Sequence, residues 1–154
     1  MGDFPTAAVV ALMAALAGGG CDARTPVDSD EGEPAAASSP AVEVQTDKNI
    51  YAADEPIVMT LRFTNTSDHE ITLQFSSGQR YDFTIQDDSG VVVWRWSDGR
   101  AFTMALGTES LDPGESLRYE ERFSGHLDPA AYRVTGTLTV TGDPISASAM
   151  ITVR

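Results

Sequence analysis

Residues 57–63 read IVMTLRF, and this short stretch decides the fold. Ile57, Met59, Leu61 and Phe63 occupy every second position, with Thr60 and Arg62 between the last three. An extended chain turns those four apolar side chains to one face and the polar ones to the other, which is the period of a half-buried strand. The same alternation recurs at Val42-Glu43-Val44, at Ile71, Leu73 and Phe75, and at Tyr81, Phe83 and Ile85. Further strands are expected over Val91–Ser97, Leu117–Phe123, Tyr132–Val140 and Ile145–Val153. The breaks between them are turn chemistry: Thr66–Glu70, Asp87-Asp88-Ser89-Gly90, LDPGES at 111–116, Ser124-Gly125, and TGDP at 141–144. Gly90 is expected to supply the positive φ of a hairpin turn. No helical stripe of ten or more residues interrupts this pattern, so residues 42–154 predict an all-β domain, an antiparallel sandwich of seven or eight strands.

Working outward, the N-terminus is of a different kind. Ala7 to Ala17 is an uninterrupted apolar run of eleven residues, too short for a mature membrane span and right for the h-region of an export signal, assigned to residues 1–20. Gly18, Gly19 and Gly20 then precede Cys21, an order that resembles the lipobox of bacterial lipoproteins. In that reading Cys21 is lipidated and becomes the first residue of a protein held at the membrane by its lipid anchor, on the outer side of the cytoplasmic membrane or in the periplasm or outer membrane. The competing reading takes Ala15-Leu16-Ala17 as an ordinary cleavage site and gives a soluble secreted protein. Residues 21–41 are rich in Pro, Ala, Ser and acid, and such a segment cannot bury enough apolar surface to offset the entropy of ordering. A flexible tether is expected there, with the domain beginning at Val42.

Charge and cysteine count remove several function classes. The chain carries 23 acidic and ten basic residues, a net charge of -13. Six acids and one base fall within residues 1–41, leaving 17 against nine, or -8, on the domain. Nucleic acid is excluded as a partner, since its phosphates would be repelled. One cysteine rules out a disulfide framework and a Cys-rich metal site. His69 and His126 lie far apart beside loop signals, and both are expected at the surface without a metal. Asp87 and Asp88 are too few for a calcium cage. With no nucleophile elbow, phosphate loop or Cys-His couple, neither a cofactor nor an enzyme is expected.

Three segments carry a family resemblance: FSSGQRYDF at 75–83, VWRWSDGRAFT at 93–103 and LDPGES at 111–116. In this order and spacing they resemble the BsuPI-type family, named for an intracellular proteinase inhibitor of a bacillus, over roughly residues 51–138. The resemblance implies an immunoglobulin-like β-sandwich and inhibition of subtilisin-like serine proteases. With an export segment in front, the target it implies is an exported protease; the alternative is an envelope module that binds another protein or a glycan.

The motif residues read mainly as structure. Trp94 and Trp96, two apart, are expected on one core-facing side together with Val92, with an exposed sugar or partner platform as the alternative. Arg95 would point to the other side. Tyr81 and Phe83 are expected to enter the core, leaving Arg80 and Asp82 outward or paired with neighbours. Tyr132 in LDPAAY is either the tyrosine corner of a Greek-key sandwich or an ordinary half-buried strand tyrosine. The candidate partner-binding segment is the polar loop Ser76, Ser77, Gly78, Gln79 and Arg80, expected to project from one end of the sandwich with no apolar anchor.

Overall fold

The computed structural model describes residues 41–154; the readings made for residues 1–40, including the export segment, the lipidated Cys21 and most of the tether, lie outside it. Ten strands and no helix form among the described residues: β1 (Ala41–Thr46), β2 (Ile50–Tyr51), β3 (Ile57–Thr64), β4 (Ile71–Phe75), β5 (Tyr81–Gln86), β6 (Val92–Arg95), β7 (Gly107–Leu111), β8 (Ser116–Phe123), β9 (Ala131–Leu138) and β10 (Ile145–Val153). Ala41, read as the last tether residue, opens β1.

The strands assemble as β1-β3-β8, β2-β10-β9-β5-β6 and the pair β4-β7, antiparallel throughout except for the short parallel contact of β2 with β10. Alternation works as the sequence requires. Ile57, Met59, Leu61 and Phe63 are all at most 1% exposed, while Arg62 faces solvent. They meet Phe83, Ile85, Val134, Leu138, Ile151 and Val153 from the five-stranded sheet in one core. The two sheets approach so closely that a Cβ on Gly136 of β9 would lie 2.7 Å from Val44 and 3.2 Å from Leu61. This is an all-β sandwich, as the alternation predicts.

Two buried polar groups brace the frame. Asn65, fully buried, donates from Nδ2 to the carbonyls of His69 and Leu111, while its Oδ1 accepts from the N–H and hydroxyl of Ser67. It ties the turn after β3 to the end of β7, which satisfies its amide completely. The Tyr132 hydroxyl donates to the carbonyl of Asp128, four residues upstream, the geometry of a tyrosine corner. In the β5–β6 turn, Gly90 has a φ of 84° and Asp87 Oδ1 accepts from Ser89 and Val91.

The structure corrects two details of the strand reading. It adds β2 and β7, for ten strands in place of seven or eight. It also splits Val92 from the two tryptophans: the β5–β6 ladder slips between Ile85 and Gln86, so Trp94 pairs with Ile85 but Val92 pairs with Gln86. Val93 is the extra residue of a bulge, which reverses the parity of everything before it. Val92 therefore faces solvent at 38% exposure.

Candidate functional site

The motif residues converge on one feature, the chain between β6 and β7. Strand β6 stops at Arg95, and Trp96 continues the ladder for a single bond, its N–H reaching the Phe83 carbonyl at 2.9 Å. The chain then folds over Asp82. Ser97 donates its N–H and hydroxyl to the two carboxylate oxygens, at 3.1 and 2.8 Å, and Arg95 adds a contact at 3.2 Å. Asp82 is consequently buried on the side of β5 away from the core, a charge offset by a cation and two hydrogen bonds.

On the other side of β5 the aromatic residues form a ladder. Phe102 leans on Trp96 at 5.7 Å, Trp96 stacks on Tyr81 at 4.5 Å, and Tyr81 stacks on Tyr119 of β8 at 4.4 Å. The ladder joins the two sheets, because Tyr81 also donates to Glu121 of β8 at 2.6 Å. Burial, followed by the Glu121 carboxylate, pushes the Tyr81 hydroxyl far above the usual phenol range. Burial likewise raises Tyr119, with Glu109 reinforcing it and Arg80 opposing. Both rings stay neutral across physiological pH. Arg100 covers the outer face of Trp96, 4.2 Å from the ring centroid, while its Nε donates to the Trp96 carbonyl. Trp96 is thus buried at 8% exposure; Trp94 is half-buried, edge-on to Phe123. Neither ring offers an open sugar platform.

The Ser76–Arg80 loop lies behind this segment and holds it. The Gly78 N–H donates to the Thr103 carbonyl at 2.7 Å, an approach that leaves no room for a side chain: a Cβ there would fall 2.4 Å from the Thr103 hydroxyl. Arg80 stacks on Phe75 at 4.6 Å, donates to the Ser77 carbonyl and faces Glu109 at 3.6 Å. Its guanidinium fills the space where a side chain on Gly107 would be, 2.1 Å from that position. The Gln79 carbonyl accepts from Thr139. The loop expected to lack an apolar anchor has one, in Phe75 beneath Arg80, and only Ser76 and Gly78 within it are exposed.

The result is a strap, residues 97–106, in the connection from β6 to β7. The sequence reading assigns residues 98–106 no secondary-structure element, although 98–103 belong to the family motif and Phe102, Met104 and Leu106 repeat at the strand period. Phe102 is tucked against the aromatic ladder, whereas Met104 is 91% and Leu106 85% exposed. His69 and His126 are both at the surface, and among the described residues no group of three His, Cys, Asp or Glu is placed to hold a metal. Depressions on the β3–β8 face, about 140 and 220 Å³, are smaller than ordinary ligand pockets.

The family model for BsuPI, intracellular proteinase inhibitor, matches residues 44–142, more than half of the chain. The chain belongs to this family. Its BsuPI domain is similar in fold to the sporulation control protein Spo0M of Bacillus subtilis, with a TM-score of 0.53 at 15% identity over 76% of this chain and 50% of that one. The chain therefore spans half the length of that relative, and the likeness concerns the fold. More distant is a β-glucosidase of Erythrobacter marinus, at 0.43 and 13% identity over 75% of this chain and 15% of that one. A cycloisomaltooligosaccharide glucanotransferase of Paenibacillus sp. gives 0.45 and 20% identity over 73% and 14%. Among curated proteins nothing matches.

Proposed function

We propose that this chain is an exported, membrane-anchored inhibitor whose BsuPI domain binds a subtilisin-like serine protease. The observation that carries the reading is the family match over residues 44–142, which spans the Ser76–Arg80 loop, the aromatic ladder and the strap. The geometry suits inhibition better than small-molecule binding, because the motif side chains brace an exposed segment rather than line a cavity. Such a segment binds by pairing its backbone with a cleft, and bracing lowers the entropy lost on docking. The place of action is proposed from the sequence of the leader, with Cys21 as the lipidated residue and residues 21–40 as the tether.

Titration of the full chain against a panel of exported subtilisin-like proteases tests the inhibitor reading. Inhibition that saturates at one chain per enzyme supports it. Unchanged protease activity at high micromolar concentration, with the chain intact, refutes it and leaves a module for another envelope protein.

A further inference from the structure

Resting on the inhibitor reading, the geometry points to residues 101–106 as the segment that enters the protease cleft. We infer that Met104 and Leu106 fill its apolar pockets, so the target is a serine protease whose primary specificity pocket is lined by apolar residues.

Three observations carry this. Met104 and Leu106 are the most exposed large apolar side chains of the described domain, at 91% and 85%. They sit in a run without charge, Ala101 to Thr108, within a domain of net charge -8. An uncharged segment with alternate apolar side chains matches a cleft with apolar pockets and does not suit one that selects a cation. Next, the strap is held on both sides of the exposed residues. Gly78 fixes Thr103 and Phe102 rests on Trp96, while from Gly107 onward the chain pairs with β4 under Arg80. Only Met104, Ala105 and Leu106 lie between these anchors, so little freedom remains to lose on binding.

The test uses the full chain with Met104→Asp, Leu106→Asp, Met104→Leu and Met104→Arg, and Met150→Asp as a control at an exposed apolar position on β10. Inhibition constants are measured against a subtilisin-like protease with an apolar primary pocket and against a serine protease whose pocket carries an acid. Each aspartate variant is expected to weaken inhibition of the first by about thirtyfold or more, the effect of losing a central contact residue. Met104→Leu and Met150→Asp should retain it, and Met104→Arg should move inhibition toward the second enzyme. Thermal midpoints should stay at the parent value, since the exposed side chains bury almost nothing in the free domain.

If the parent inhibits and both aspartate variants inhibit equally well, the strap assignment is overturned while the inhibitor reading stands. If the parent inhibits no protease, the inhibitor reading falls and this inference with it. If the parent sediments as a dimer that the aspartate variants split, the strap serves a second copy of the chain, and the inference is again overturned.

Discussion

Trp96→Ala is expected to be among the costliest single substitutions in the domain, and its magnitude follows from where the indole sits. The ring is 8% exposed, stacked on Tyr81 at 4.5 Å and in contact with Phe102 at 5.7 Å. Truncating a buried Trp removes its transfer free energy and leaves a cavity, together about 3–5 kcal/mol. Domains of this size have total stabilities of about 5–15 kcal/mol. At about 4 °C per kcal/mol, the thermal midpoint should fall by roughly 12–20 °C. One feature works in the opposite direction: Trp96 Nε1 is buried without a hydrogen-bond partner among the described residues, which itself costs about 1–3 kcal/mol. Trp96→Phe removes that unpaired donor while keeping most of the stack, so its loss should be only about 1 kcal/mol. Trp94→Ala, half-buried against one Phe123 edge, should cost about 1–2 kcal/mol. Circular dichroism melts of the four proteins give the order. If Trp94→Ala melts lower than Trp96→Ala, or if Trp96→Phe is as damaging as Trp96→Ala, the aromatic ladder is not what holds this end of the sandwich.

Two further expectations concern pH and address. His126 lies between Asp54 at 2.8 Å and Asp128 at 3.5 Å, and its pKa is raised above 6.5, chiefly by Asp54. A raised folded-state pKa stabilises below the unfolded value and loses that contribution as pH rises through the folded one. The stability difference between parent and His126→Gln should therefore be largest below pH 6.5 and shrink as pH rises above it, read from urea midpoints; a constant difference would refute it. If Cys21 carries lipid, the chain partitions with membranes, and Cys21→Ala either frees it or leaves it uncleaved. A parent found wholly in the soluble fraction would exclude the anchor.

How much of this was legible in the sequence depends on the range of the interactions involved. Alternation at 57–63, 71–75 and 81–85 determined the strands and their inward faces, because side-chain direction in an extended chain depends on parity alone. Turn residues at 87–90 and 111–116 likewise act within four residues of one another. The Tyr132 hydroxyl reaches back only four residues, which is why its motif already suggested the corner. The relation of Trp94 to Val92 escaped that logic: a one-residue bulge inverts parity, and β5 must be present opposite β6 for the slip to exist. For Asp82 the sequence left solvent and pairing both open, and the choice fell to Ser97 and Arg95, more than a dozen residues away, which close over it. The strap was hidden for the same reason. Its exposed Met104 and Leu106 look like ordinary strand residues in the sequence, and the contacts that hold the segment come from Gly78 at Thr103 and from Trp96 at Phe102. Local stereochemistry determined which residues point inward; only the closing of the chain on itself decided which inward-reading residues would find no partner and be left on the surface.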